Sequence, residues 1–222
     1  FFKNKKVYKF FTNRNTIKKR YERSKVLKPH VPLILKKKKY FYVYKFIEGS
    51  VFSKLKNKKK EFHKLLNWLN NTFWEKKTLS RKKLKTFEQK CNNFYYEKSL
   101  SRINYLYEKN NIIDQIEFIN KVKVPKVSSM FDKINWRDIN AGFPVNFHGD
   151  LHFENIIKNK NKIFLLDWRE DFSGIKNYGD IYYDLAKINH GLIIDHSIIK
   201  QSKFDIKIDK KNIKFSFKKS KE

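Results

Sequence analysis

Three oxygen-bearing side chains, Asp150, Asn155 and Asp167, stand at a spacing suited to phosphoryl transfer. The first two belong to Phe147-His148-Gly149-Asp150-Leu151-His152-Phe153-Glu154-Asn155, and the third closes Leu165-Leu166-Asp167. Phosphoryl transfer asks little covalent chemistry of a protein: the acceptor hydroxyl must be aimed at the γ-phosphorus and the phosphate charge neutralised. One carboxylate beside the hydroxyl serves the first need. An amide and a second carboxylate holding Mg²⁺, a hard cation that prefers oxygen ligands, serve the second. Asp150 is therefore the candidate base or hydroxyl-orienting group, and Asn155 and Asp167 are the candidate metal ligands. A turn rich in Asp and Asn beside a hairpin is the plain alternative. His148 two positions before the Asp, and Leu-Leu-Asp-Trp at the hairpin's end, weigh against it. A His148/His152 zinc pair is disfavoured, because the two lie in a loop and the Glu of a helical H-E-x-x-H pattern is missing.

The elements that must position these residues follow from periodicity. Alternation over 5–11 predicts a strand with Val7, Lys9 and Phe11 on one face. Thr12 to Leu27 lacks Gly and Pro, carries Ile17, Tyr21 and Ser24 on one face, and is expected to be a helix. Val31–Leu35 and Tyr40–Ile47 read as strands joined by a turn over Lys36–Lys39, and Glu48-Gly49-Ser50 breaks the pattern. Phe62, Leu65, Leu66, Leu69 and Phe73 recur at helical spacing, as do Leu84, Phe87, Cys91 and Phe94. Ile112–Ile119 is a further helix candidate, so 58–137 is expected to be mainly helical. Val145–Phe147 leads into the catalytic loop. Ile156-Ile157 and Ile163–Leu166 flank Asn159-Lys160-Asn161, which predicts a hairpin. Asp180 is placed to cap a helix through Ile181, Leu185, Ile188 and Leu192. The tail alternates over Phe204–Asp209 and Ile213–Phe217, a second hairpin.

Taken together, His148-Gly149-Asp150-Leu151-His152-Phe153-Glu154-Asn155, Phe164-Leu165-Leu166-Asp167-Trp168-Arg169 and Gly179-Asp180-Ile181-Tyr182-Tyr183-Asp184-Leu185-Ala186-Lys187 resemble the aminoglycoside phosphotransferase and choline kinase group of kinase-like enzymes. The resemblance spans 144–195, extends in outline over 5–55, and rests between them on helical character alone. It implies an α+β, two-lobed protein-kinase-like fold: a small β-rich lobe over 1–48 and a larger, mainly helical catalytic lobe over 49–222. It also implies ATP with Mg²⁺, and phosphorylation of a hydroxyl on a small polar molecule such as a sugar, a choline-like amino alcohol or an aminoglycoside. Carried over by position, Asp150 is the catalytic aspartate, Asn155 and Asp167 hold the metal, and Asp180 braces the loop by accepting its backbone hydrogen bonds. Asp184 is expected to serve structure, and His148 and His152 to support the loop. In the first lobe Lys9 would pair the α- and β-phosphates, with Glu22 as its salt-bridge partner, and Phe46 and Ile47 would form the hinge that meets adenine. One departure stands out. No glycine precedes Gly49, so the glycine-containing phosphate loop is missing. The chain opens on Phe1, so a truncated first lobe, and with it an inactive nucleotide-binding fragment, is the alternative within this fold.

Composition narrows the remaining classes. With 222 residues, 40% hydrophobic and 17% aromatic, the chain can bury a real core. Its net charge of +30 would attract nucleotides, nucleic acid or an anionic surface. Yet Lys, Asn, Ile, Phe and Tyr share A/T-rich codons, and alanine occurs only at Ala141 and Ala186. Base composition therefore accounts for much of the lysine. The cations are spread along the chain instead of forming one arm, and no zinc-finger or RNA-binding signature occurs, so a basic nucleic-acid-binding protein is the other-class alternative and not the expected one. A lone Cys91 excludes an internal disulfide and fits a reducing, cytoplasmic compartment. No apolar run is long enough for a membrane span.

Overall fold

Among the described residues, thirteen short strands and seven α-helices, joined by 3₁₀ and π turns, make up a mixed α+β architecture. The structure is a computed structural model that describes residues 2–110, 113–193, 199 and 201–217. In chain order the elements are β1 (Phe2–Lys3), β2 (Lys6–Phe10), α1 (Arg14–Val26), β3 (Ile34–Lys37), β4 (Phe41–Lys45), β5 (Ser50–Val51), α2 (Lys58–Trp68), α3 (Arg81–Asn92) and α4 (Lys98–Lys109). Then come β6 (Phe118–Ile119), β7 (Val122–Lys123), α5 (Val127–Asp132), α6 (Trp136–Asn140), β8 (Pro144–Val145), β9 (Ile156–Asn159) and β10 (Lys162–Leu165). The chain finishes with β11 (Gly179–Asp180), α7 (Ile181–Ile193), β12 (Phe204–Asp209) and β13 (Asn212–Phe217).

These elements fall into two units, one of Phe1–Lys90 with Gly142–Gly191, the other of Cys91–Ala141 with Leu192–Glu222. Long-range pairing runs through the first unit: Ser50 and Val51 of β5 pair with Lys158 and Ile157 of β9, and side chains of α1 reach residues 147–176. The first segment is thereby tied to the catalytic loop.

In the first unit β1, β2, β4 and β3 form an antiparallel sheet in that order, with Lys9 opposite Tyr42. Helix α1 begins at Asn13, whose side chain accepts the Asn15 amide at 2.8 Å, and it runs without Gly or Pro to a cap at Leu27. Its buried face is Ile17, Arg23 and Ser24. Strand β3 starts three residues later than expected, because Pro32 has no amide to give to a ladder, and it takes in Lys36 and Lys37 of the expected turn. The Gly49-Ser50 break is also the start of β5, not only an interruption. The β9–β10 hairpin forms in the expected register, with Ile156 opposite Leu165. Tyr42, Phe73, Phe147, Leu151, Leu165 and Trp168 are fully buried around it.

In the second unit β12, β13, β6 and β7 make a four-stranded sheet, antiparallel except for β13 against β6. Phe131 and Trp136 pack on Tyr96 near α4. The helix expected over Ile112–Ile119 is not formed. Ile112 lies outside the described residues, Ile113–Gln115 is a single 3₁₀ turn, and Phe118 and Ile119 pair with Asn212 and Ile213. The Asp114 carboxylate accepts from the Val127 amide and the Ser128 hydroxyl, which holds the turn against the start of α5. Long-range strand pairing has overridden a local helical spacing.

Candidate active site

Asp150 and Asn155 are held together by the loop itself. Asn155 Nδ2 donates to the Asp150 carbonyl at 2.8 Å and stands 3.4 Å from its Oδ2. The Asn155 carbonyl accepts the Leu166 amide at 2.7 Å, which places the residue before Asp167 beside the loop. Asp167 follows β10 with φ +56°, in the left-handed region that a non-glycine residue seldom adopts. Its Oδ2 accepts from Lys9 Nζ at 2.8 Å, and Arg20 Nη1 lies 3.9 Å from its Oδ1. All of these residues belong to the first unit, so one folded body brings the loop, the hairpin end and the Lys9 strand together.

Glu22 is not part of this arrangement. It pairs with Lys176, while Lys9 takes Asp167, because Glu22 sits on the stretch of α1 that faces residue 176. Phe46 follows β4, is exposed, and packs against Phe2 with the rings tilted by 59° and their centroids 4.9 Å apart. Its amide donates to the Lys5 carbonyl at 2.8 Å, so that hinge donor is already committed; Ile47 beside it is half-buried.

The expected brace moves by one helical turn. Asp180 accepts the Phe143 amide at 2.8 Å and the Tyr182 amide at 3.3 Å, which makes it the cap of α7. The loop amides of His148 and Gly149, each at 2.7 Å, go instead to Asp184, which also accepts from Trp74 Nε1 at 3.2 Å. Asp184 is completely buried. Burial pushes its carboxyl up to about 6, against the pull of those three donors and of Arg23. His148 is equally buried, and burial with the nearby Arg23 charge lowers it to about 3. It is therefore a neutral imidazole whose Nδ1 receives the Asp150 amide at 3.2 Å.

Two residues that spacing could not single out complete the site. Arg23, buried on α1, donates through Nε to the Lys176 carbonyl at 3.1 Å and through Nη1 to the carbonyls of His148 at 3.2 Å and Arg169 at 2.5 Å. Its Nη2 reaches the Phe147 carbonyl, and the guanidinium lies 4.1 Å from the Phe147 ring centroid. One fork thus ties the loop segments 147–148, 169 and 176 to α1, which a single ammonium could not do. Burial lowers Arg23 to about 9, so it stays cationic near neutrality. Arg23→Lys is expected to cost about 2–4 kcal/mol of stability, read from urea unfolding midpoints. A variant as stable as the parent would show that the fork is dispensable.

The other is Lys187 on α7. Its Nζ stands 3.0 Å from Asp150 Oδ1 and 3.3 Å from His152 Nε2, and that His152 nitrogen is itself 3.3 Å from the same carboxylate oxygen. Burial would raise the Asp150 carboxyl, but Lys187 together with the neighbouring histidines outweighs it and holds the group below its usual range. Lysine abounds in this chain, so no sequence signal distinguished Lys187. For Asp184 a signal existed: it lies one helical turn after Asp180, on the same face of α7.

By fold and site, then, the chain is a mixed α+β protein in which a loop carboxylate, an asparagine and a lysine-paired strand-end carboxylate occupy one unit. No family model matches the chain. Among curated proteins, one from Metamycoplasma hominis named Protein LicA homolog is similar, 33% identical over 107 residues that make up 47% of this chain. The chain spans 38% of the length of that relative. No helix among the described residues is long and apolar enough to cross a membrane.

Proposed function

We propose that this chain is an ATP- and Mg²⁺-dependent phosphotransferase of protein-kinase-like fold that phosphorylates a hydroxyl of a small polar molecule. The observation that carries the reading is the ion pair between Lys9 and Asp167, 2.8 Å long and linking residues from opposite ends of the unit beside the Asp150–Asn155 loop. Similarity to a LicA homolog agrees with the choline-kinase side of the resemblance.

The residues present fit magnesium. Asn155 Nδ2 is committed to Asp150, which leaves its Oδ1 to face a cation, and Asp167 offers a partly exposed carboxylate. No group of three or more His, Cys, Asp or Glu suited to a metal occurs among the described residues. Asn155 and Asp167 would therefore hold the ion together with nucleotide oxygens, as Mg²⁺ commonly prefers. Bound there, it supplies neutralisation of phosphate charge. Asp150, kept as a carboxylate, accepts the hydrogen bond of the acceptor hydroxyl and orients it for direct in-line attack, with no phosphoenzyme. Lys9 supplies a cation for the nucleotide phosphates, and Lys187 a second one on the acceptor side.

The reading is tested by incubating the protein with ATP, Mg²⁺ and pooled sugars, amino alcohols and aminoglycosides, and searching for a product heavier by one phosphoryl group. ATP-dependent product is the expected result; its absence for every pool counts against turnover. A nucleotide binder without turnover is the second reading, favoured by the lack of glycine before Gly49. It predicts an ATP-induced thermal shift with no product.

Lys187→Ala is expected to lower turnover about a hundredfold. It should also move the acid limb of the pH profile to higher pH. With the ammonium gone the Asp150 carboxyl rises, and activity, which needs the carboxylate, is lost sooner on acidification. An unmoved acid limb would separate Lys187 from Asp150.

A further inference from the structure

The sheet of the second unit has one face without a charge. In the β12–β13 register Phe204 stands opposite Phe217, Ile206 opposite Phe215 and Ile208 opposite Ile213. Directly opposed residues share a face, so all six lie together. The face continues across the sheet, since Ile213 is in register with Ile119 of β6, and Ile119 with Val122 of β7. The other face carries Asp205, Lys207, Asp209 and Lys214. There Lys207 and Lys214 are directly opposed, an arrangement that only water tolerates. The polar face is therefore the solvent face. The apolar one is bare: Phe204, Ile206, Ile208, Phe215, Phe217, Ile119 and Val122 are each between 37% and 65% exposed.

We infer that this face is the contact between two copies of the chain, packed sheet against sheet about a twofold axis. Seven large apolar side chains, each about half exposed, present about 600 Å² of contiguous surface, at the upper end of what a monomer commonly leaves to water. Doubled across a twofold, that is about 1,200 Å², the size at which specific interfaces become stable. A twofold requires a self-complementary patch, and an uncharged, β-branched and aromatic sheet face can serve as one. On β12 and β13, Lys207 and Lys214 lie on the opposite face, away from the contact. The same placement disfavours other occupants. An anionic membrane would meet the apolar side chains without those lysines, and an acidic partner would find no cation on the face to pair with.

Sedimentation velocity of the whole chain across a hundredfold range of concentration tests the inference. The expected result is a species of twice the 27.1 kDa chain mass at the upper end. Ile206→Lys and Phe215→Lys should each shift it to a single chain with an unchanged circular dichroism spectrum, because both side chains lie on the exposed strand face, Ile206 53% and Phe215 37% exposed, and neither belongs to the buried core. Lys207→Glu, on the solvent face, should leave the dimer in place. A parent chain that stays monomeric at about 100 μM, where even weak specific dimers form, would overturn the inference. So would a dimer indifferent to both lysine substitutions, association that continues past two chains, or a monomer that instead co-sediments with phosphatidylserine vesicles.

Discussion

Asp150→Ala is expected to lower ATP-dependent turnover by about 10²–10⁴-fold, the range over which a positioned proton acceptor acts, while leaving the unfolding transition almost unmoved. The reasoning separates two roles that one residue could combine. Its backbone is structural: the Asp150 carbonyl receives Asn155 Nδ2, and its amide meets His148 Nδ1. Neither contact uses the side chain. The carboxylate is the part aimed outward, with a side-chain exposure of 41%, and its partners are Lys187, His152 and, at 3.4 Å, the Asn155 amide. Truncation removes one partly solvated ion pair, to Lys187, and the longer contacts to His152 and Asn155, which contribute little to stability. Steady-state kinetics beside a thermal melt distinguishes the outcomes. Unchanged phosphorylation in the variant would remove Asp150 from the reaction. A collapse of the melt would mean that the side chain holds the loop together.

Asp184→Ala is expected to do the reverse and strike the fold first. Three donors, the amides of His148 and Gly149 and the indole of Trp74, end on this one buried carboxylate. Alanine leaves all three without an acceptor in a place water does not reach, and each orphaned donor costs about 1–3 kcal/mol. A loss of about 3–5 kcal/mol is a large part of the 5–15 kcal/mol that holds a typical domain together. Turnover should fall with it, since His148 and Gly149 lead directly into Asp150 and a displaced loop misaims the carboxylate. Asp184→Asn keeps the shape but turns an NH₂ or a weaker acceptor toward the amides, so it should recover only part of the loss. Denaturant midpoints for parent, Ala and Asn variants give the test. Equal midpoints would show that the loop is braced elsewhere. Asp180→Ala, by contrast, removes a helix cap worth about 1 kcal/mol, and should be clearly the milder change.

What the sequence determined by itself are the features written in local spacing. The loop from His148 to Asn155, the β9–β10 hairpin, the run of α1 between its Asn13 cap and Leu27, and the tail hairpin all depend on neighbours within a few residues, whose turn and capping chemistry acts at short range. Asp150, Asn155 and Asp167 could be singled out for the same reason, because one loop and one hairpin carry all three. Only the tertiary structure decided which charge meets which. Lys9 goes to Asp167 and Glu22 to Lys176, Asp184 and not Asp180 takes the loop amides, and Arg23 gathers four carbonyls from segments more than a hundred residues away. It also decided that Phe118 and Ile119 extend a sheet instead of a helix. Among 52 lysines and arginines no spacing rule can say which cation will be buried or which carboxylate it will find. That choice is made by packing, where the desolvation of each group is weighed against the partners that the whole fold brings within reach.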